Sequence, residues 1–249
     1  MKLSVITPAY NSEAYLAEMI ESVLAQDYAD WEMIIVDDCS TDRTFEIAEE
    51  YSRKDKRIKV IRNPENMGVA ASRNAALDAA TGEYVAFCDA DDLWLPQKLS
   101  KQIRFMEDGH YVLTYTNYQK FNSSTGERSR KILRAPAKIT AEMIYGNTSI
   151  GCLTVMVNRS LSGAFHMPLL KHMEDNITWQ IILSKGYTGY RLDEVLSLYR
   201  EGNSSMTNKK TKAAQEQWNI YRDYYKFSIC RSLYYFSKYA FHAVVKHFI

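Results

Sequence analysis

The sequence predicts an α/β fold built on a mostly parallel, doubly wound sheet, and three observations predict it. Short apolar or β-branched runs alternate with helix-period segments of about ten residues, which is the pattern of repeated β-then-α steps. Two acidic clusters, Asp37-Asp38 and Asp89-Ala90-Asp91-Asp92, directly follow such runs, and ligands of parallel sheets bind at the carboxyl ends of strands. A chain of 249 residues with 46% apolar content can bury one full core with a short appendage.

Taken in order, Leu3 to Pro8 is a strand-like run that proline stops. Asn11 or Ser12 then offers an N-cap for a helix with apolar positions at Leu16, Met19, Ile20, Val23 and Leu24. Trp31 to Val36 is a second strand, and Ser40 or Asp42 can cap the helix in which Phe45, Ala48 and Tyr51 share a face. Ile58 to Ile61 makes a third strand and Asn63 to Gly68 a loop. Ala70 to Ala80 is an alanine-rich helix, with Gly82 placed to close it as a C-cap glycine. Tyr84 to Cys88 is a fourth strand, and after Pro96 a helix runs to about Glu107.

Beyond that point the regularity weakens. Tyr111 to Tyr118 reads as a strand, Asn122 to Gly126 as a turn, Ile150 to Val157 as a further buried strand, and Ile177 to Leu183 as a helix that Gly186 ends. From about Asn208 to Ile249 the chain reads as long amphipathic helix. Trp218, Tyr221, Tyr225, Ile229, Leu233, Phe236, Ala240 and Val244 recur at spacings of three and four, with Arg222, Lys226, Arg231, Lys238 and Lys246 among them.

Charge and cysteine usage narrow the function classes. A net charge of +1 gives no electrostatic reason to expect nucleic acid as a partner. The four cysteines are far apart with no CxxC spacing, which argues against a zinc site or a disulfide framework and fits a reducing cytoplasm. No run approaches the roughly 20 apolar residues that cross a bilayer, and the start leaves no room for a signal peptide. The expected location is cytoplasmic, with the inner face of the cell membrane as an alternative address through the tail. That tail admits two readings: a helix packed on its own domain or on a second subunit of a homo-oligomer, or an interfacial helix with aromatics among headgroups and lysines meeting anionic lipid.

The chemistry concentrates at strand ends. In Asp89-Ala90-Asp91, residues two apart on an extended strand end project the same way, so two carboxylates can reach one cation. Alone, the same three residues more simply describe a solvated acidic turn that caps the next helix; their place in a βα series with a second acidic strand end favours a shared crevice. Asp37 and Asp38 can begin the next turn and can also accept from a nucleobase N–H or a ribose hydroxyl. No GxGxxG follows the first strand, which argues against a dinucleotide.

Four ordered segments carry a family resemblance: Val5-Ile6-Thr7-Pro8-Ala9-Tyr10-Asn11, Val36-Asp37-Asp38-Cys39-Ser40-Thr41-Asp42, Asn66-Met67-Gly68-Val69-Ala70-Ala71-Ser72-Arg73-Asn74, and Asp89-Ala90-Asp91-Asp92. Together they resemble the family 2 glycosyltransferases of GT-A fold, bacterial cell-surface polysaccharide enzymes among them. The resemblance is strong over roughly the first hundred residues. It implies an inverting transfer from a nucleotide-diphosphate sugar, most simply a UDP-sugar, with Mg²⁺ or Mn²⁺ as cofactor. By that resemblance Thr7 and Tyr10 line the base and ribose pocket, Asp38 with Asp37 holds the nucleoside, and Arg73 lies near the nucleotide. Asp91 binds the metal, with Asp89 beside it supporting the ribose or sugar. One departure is Cys39, where the family commonly has glycine, and it touches only the geometry of that turn.

Inversion needs a base on the face opposite the leaving diphosphate. His172-Met173-Glu174-Asp175 resembles the acidic motif that follows the metal site in this family, which implies Asp175 as the base; an acidic first helical turn is the simpler reading of the same residues. The Gln/Arg-rich tryptophan motif of processive synthases is not evident, which points to one sugar per encounter. The acceptor is expected to be a saccharide or a lipid-linked glycan. The division implied is a glycosyltransferase domain over 1–207, with a nucleotide-sugar half at 1–107 and an acceptor-side half at 108–207, and a helical extension at 208–249. Three other readings stay open: a non-catalytic nucleotide-sugar binding module that tolerates losing Asp175, a nucleotidyltransferase, although no glycine-rich basic loop follows the first strand, and a phosphoryl-accepting regulatory domain, for which the chain is long and the downstream acidic motif would be idle.

Overall fold

A computed structural model describes residues 2–201 and 210–248, with side chains over 2–201 and 213–242. The amino-terminal part is the expected series: β1 (Leu3–Ala9), α1 (Leu16–Leu24), β2 (Trp31–Asp37), α2 (Thr44–Lys54), β3 (Ile58–Arg62), α3 (Val69–Ala79) and β4 (Tyr84–Phe87). Then come β5 (Leu93–Trp94), α4 (Lys98–Gly109), β6 (Leu113–Asn122), β7 (Arg128–Leu133), β8 (Lys138–Thr140), α5 (Ala141–Gly146) and β9 (Met156–Asn158). The series closes with α6 (Arg159–Ser162), α7 (Glu174–Leu183), β10 (Thr188–Glu201), α8 (Lys210–Asn219) and α9 (Ile229–Phe248).

Among the described residues these strands form one ten-stranded sheet, whose main path runs β3-β2-β1-β4-β9-β6-β10-β5. β3, β2, β1 and β4 are mutually parallel. β9 then runs antiparallel to both β4 and β6, so the sheet is parallel where the nucleotide-binding series was expected and mixed beyond it. The carboxyl ends of β1, β2 and β4 therefore open on one edge, carrying Tyr10, Asp37-Asp38 and Asp89-Asp91.

Period 2 along the strands divides the core into two layers. Ile6, Ile34, Val36 and Phe87 pack with Ala70, Ala76 and Leu77 of α3 and with Trp179 of α7. Leu3, Val5, Met33 and Ile35 pack with Leu16, Met19 and Ile20 of α1 and Leu99 and Ile103 of α4. Phe87 and Trp179 meet edge to face with centroids 5.2 Å apart, and this contact seats α7 beneath the end of β4.

Several local expectations are corrected. Neither Asn11 nor Ser12 caps α1 with its side chain: Asn11 Oδ1 accepts from the Thr41 amide at 2.9 Å, and Ser12 contributes only its carbonyl to the amides of Tyr15 and Leu16. The Asn11 side chain instead stitches the loop after β1 to the loop after β2, while the Ser12 amide donates to Thr44 Oγ1 at 2.6 Å. Gly82 does not close α3, whose C-cap is Ala80 in an extended conformation. Its absent side chain is required because a Cβ there would lie 2.6 Å from the Ser4 backbone nitrogen. Ile150 to Val157 is not one strand, since a 3₁₀ turn at Cys152–Thr154, held by the Thr154 amide donating to Gly151 O, precedes the three-residue β9.

The carboxyl-terminal tail is also not one helix. α8 passes into a π-helical turn at Ile220–Tyr224, the chain breaks around Lys226 at φ +53°, and α9 follows. The break lets Tyr221, Phe227 and Tyr235 form a small buried aromatic cluster with Tyr145 of α5. Gly146 ends α5 against Lys238, whose Cβ would meet an added side chain at 2.7 Å. One face of the tail thus packs on its own domain. The proposed boundary at 207/208 lies outside the described residues.

Candidate active site

The strand-end acids adopt different tasks. Asp37 closes β2 and is fully buried; its Oδ2 accepts from the Ser40 amide at 3.2 Å and pairs with Arg62 Nε at 3.2 Å, while Oδ1 has no partner. Asp38 is a loop clamp. Its Oδ1 accepts from Asn63 Nδ2 at 2.7 Å and from the Met67 amide at 2.9 Å, and its Oδ2 accepts from the Gly68 amide at 2.8 Å. These bonds draw the 63–68 loop onto the end of β2. Between the two acids and that loop, Cys39 takes φ +61°, a region that costs an L-residue about 1 kcal/mol and where glycine would be unstrained. The Thr7 hydroxyl on β1 is buried without a partner, whereas Tyr10 is 49% exposed at the mouth of this edge.

Arg73 joins the remaining parts. It projects from α3 with only 4% exposure, donating through Nη2 to Asp89 Oδ1 at 2.6 Å and through Nη1 to Glu174 Oε1 at 2.7 Å. The acidic motif after β4 and the acidic motif that opens α7 are thereby brought to one guanidinium, although 85 residues separate Glu174 from Asp89. Two parallel donors on a planar cation suit this bridging geometry in a way that an ammonium does not. Just before Glu174, Met173 holds φ +67°, so the α7 amino terminus begins on a strained residue, as often found where side chains must be aimed.

The electrostatics follow from one cation among several acids. Burial and the Asp175 charge push the Glu174 carboxyl up to about 7, with Arg73 opposing. Asp175 is raised as well, chiefly by burial, while Arg73 and the Asn176 bonds act against the rise. Its Oδ1 accepts from the Asn176 amide at 2.7 Å and from Asn176 Nδ2 at 3.0 Å. Glu174 is thus committed to Arg73, and Asp175 is the acid of the pair that Arg73 does not bind.

Past β4, Asp91 is exposed, yet surrounding protein and then Asp89 hold its carboxyl above the usual carboxylate range. Asp92 is buried and raised well above it by burial and by its two acidic neighbours. Asp89 and Asp91 fit a hard divalent cation: they offer carboxylate oxygens without soft ligands, and Mg²⁺ or Mn²⁺ in phosphate sites needs only one or two carboxylates with the rest of the shell from water and phosphate. Accordingly, the described residues contain no preassembled group of three or more ligating side chains.

Arg200, at the end of β10, is a site residue that sequence reasoning missed. Its Nε donates to Asp91 O at 2.7 Å, its amide donates to Asp92 Oδ1 at 3.1 Å, and its Nη2 donates to Glu18 Oε2 at 2.6 Å. The guanidinium lies between the rings of Tyr15 and Phe121, at 4.7 and 4.5 Å. No local pattern marks a lone arginine whose partners come from α1, the β4 turn and β6. Arg200→Ala keeps the amide bond to Asp92 but loses the clamp on Asp91. It should cost about 2 kcal/mol in urea unfolding and weaken Mn²⁺ binding measured calorimetrically; unchanged values for both would remove Arg200 from the site.

Known proteins similar to this chain belong to one family. The family model for Glycosyl transferase family 2 matches residues 4–162. TuaG of Bacillus subtilis strain 168, which carries only a provisional assignment as a teichuronic acid biosynthesis glycosyltransferase, is 42% identical over 98% of this chain and 96% of its own. WfgD of Escherichia coli, a UDP-Glc:alpha-D-GlcNAc-diphosphoundecaprenol beta-1,3-glucosyltransferase, is 36% identical over 98% of this chain and 94% of its own. Among solved structures, S. aureus TarS 1–349 in complex with UDP is 26% identical, with a TM-score of 0.65 over 92% of this chain and 73% of that one. The mannosyltransferase PcManGT of Pyrobaculum calidifontis, in complex with GDP-Man and Mn²⁺, shares the fold with a TM-score of 0.70 at 17% identity, covering 98% of this chain and 73% of that one.

Proposed function

The chain belongs to glycosyl transferase family 2, and from that membership we propose that it transfers one sugar per encounter from a nucleotide-diphosphate sugar to a saccharide or lipid-linked saccharide in surface polysaccharide synthesis, with inversion at the anomeric carbon. The observation that carries this reading is Arg73, which pairs at once with Asp89 of the strand-end acids and with Glu174 of the acidic pair that opens α7. A binding module has no use for the second acidic group. The WfgD name, with its UDP-Glc donor and diphosphoundecaprenol-linked acceptor, supports a UDP-sugar and a lipid-linked glycan.

In this reading Tyr10 and the β2 acids receive the nucleoside, with Asp37 Oδ1 and the Thr7 hydroxyl as the unsatisfied polar atoms of that edge. Asp91, with Asp89 beside it, would hold Mg²⁺ or Mn²⁺, which supplies positive charge against the charge building on the departing diphosphate. Asp175 takes the proton of the acceptor hydroxyl as its oxygen bonds to the anomeric carbon, and the carbon–oxygen bond to the diphosphate breaks with its electron pair leaving on the diphosphate. Arg73 holds Glu174 and Asp89 in register, so that base and donor face each other across a fixed distance.

Thermal unfolding with a panel of nucleotide sugars tests the donor. A ligand present at 100 times its dissociation constant adds about 2.7 kcal/mol to the folded state, so the correct UDP-sugar should raise the melting temperature by several degrees and do so only with Mn²⁺ or Mg²⁺. If no nucleotide diphosphate or its sugar shifts melting with the cation present, the proposal fails. Release of pyrophosphate from a nucleoside triphosphate and a sugar phosphate would favour the nucleotidyltransferase instead.

A further inference from the structure

α9 presents three faces. Its inner face, with Ser232 and Tyr235 buried and Phe236 and Tyr239 half-buried, packs toward α5 and the aromatic cluster. An outer arc carries Ile229, Leu233, Ala240, Phe241 and Tyr234 in the open. Ile229 is 60% exposed, Leu233 55% and Phe241 64%, values a soluble surface does not need from three large apolar side chains on one helix. At 100° per residue these positions span less than half of the helix circumference, so they form one strip rather than scattered points.

Between that strip and the inner face lie Arg231 and Lys238. The Lys238 ammonium sits 4.2 Å from the Tyr234 ring centroid and the Arg231 guanidinium 4.0 Å from that of Phe227, so aromatic rings hold both cations beside the apolar arc. From Ile229 to the end of the sequence there is no Asp or Glu, and the basic residues are Arg231, Lys238 and Lys246. A second copy laid on the same strip would bring like charges together. No helix among the described residues is long and apolar enough to cross a membrane, and an apolar strip with a basic flank lies in an interface rather than spanning it.

We propose that α9 is the surface by which the protein docks on an anionic lipid bilayer, its outer arc entering the headgroup boundary and Arg231 and Lys238 meeting acidic headgroups. This inference rests on the reading of a lipid-linked acceptor and names the surface from which such an acceptor reaches the site. The tail is also tied to the catalytic segment, because Glu216 of α8 contacts His172 Nε2 at 3.2 Å, three residues before Asp175. Docking α9 therefore sets the height of the α7 amino terminus above the lipid.

Flotation of the full chain with phosphatidylcholine vesicles, with or without phosphatidylglycerol, tests the surface. Binding should require phosphatidylglycerol and weaken with added salt. Leu233→Ser with Phe241→Ser should weaken it about tenfold or more, and Arg231→Gln with Lys238→Gln about 25-fold, at about fivefold per charge. All four positions are exposed, so stabilisation by the UDP-sugar and transfer to a water-soluble acceptor should be unchanged. Absence of binding to phosphatidylglycerol vesicles at low salt, or binding indifferent to these substitutions, overturns the proposal. So does a dimer in sedimentation velocity that Leu233→Ser with Phe241→Ser dissociates. Vesicle binding without transfer to any acceptor would instead count against the glycosyltransfer reading alone.

Discussion

Arg73→Met should unfold about 3–5 kcal/mol more easily than the parent chain, because it removes the cation that, among the described residues, alone pairs with Glu174 and Asp89, and leaves a buried carboxylate unmatched. Methionine keeps most of the volume and the apolar stem, so lost packing contributes little. The pH dependence separates charge from shape. Glu174 is 7% exposed and stands at about 7 even with Arg73 present; without the guanidinium it is driven further toward its neutral form. A carboxyl raised on folding contributes stability in full below its unfolded value and loses it as pH rises through the folded value. The deficit of the variant should therefore be largest above pH 7 and shrink toward pH 5, read as the urea midpoint at each pH. Transfer should be lost at every pH, since Asp89 and the α7 motif lose their common anchor. Arg73→Lys should recover part of the stability, because an ammonium can meet one carboxylate well but cannot fork to two. A variant within about 1 kcal/mol of the parent at pH 8 would show that the bridge adds only what an exposed ion pair does.

How far the site was legible depended on whether its residues lie near each other along the chain. Each β-then-α step over the first hundred residues was readable, because a strand and the helix that covers it are consecutive and their apolar periods differ. Gly82 marked the right place for the wrong reason: glycine signals either a left-handed backbone or a close approach, and here it is the approach of β1 that excludes a Cβ. β10 escaped because its register against β6 shifts between Leu192 and Val195 and again between Val195 and Ser197. Each irregularity breaks the alternation of inward and outward side chains, so Thr188–Glu201 carries no continuous period 2. Arg200 sits at the end of that strand and was hidden with it. Arg73 was named only through the family resemblance, and its bridge to Glu174 depends on where α7 packs, which the Phe87–Trp179 contact decides. The tail read as amphipathic, but one helix could not bury both Tyr221 and Tyr235 around Tyr145; the break near Lys226 resolves this by turning α9 back onto α5.

Asp175→Asn is expected to lower the turnover of transfer by about 10²–10⁴-fold, the range attributed to a positioned general base, while leaving the fold and the donor site in place. The structure makes this substitution unusually clean. Asp175 Oδ1 accepts two bonds from Asn176, and an asparagine carbonyl can accept both, so what disappears is the oxygen able to take a proton. Glu174→Gln is the contrasting variant: it breaks a bond to Arg73, so its loss should appear in the unfolding midpoint as well as in the rate. As the proposed base, Asp175 would work only when ionised, and burial holds its carboxyl above the ordinary carboxylate value. Turnover should therefore rise with pH on a limb displaced upward from that value. This is the opposite direction from the stability contributed by the same acidic cluster, which fades as pH rises, so an enzyme tuned this way is most active where its acids strain it most. Stabilisation by UDP-sugar with Mn²⁺ should survive Asp175→Asn, which separates a lost proton acceptor from a lost donor site. If the asparagine variant turns over at more than about a tenth of the parent rate, well outside the range for a general base, the proton leaves by another route and Asp175 is only the acidic first turn of a helix.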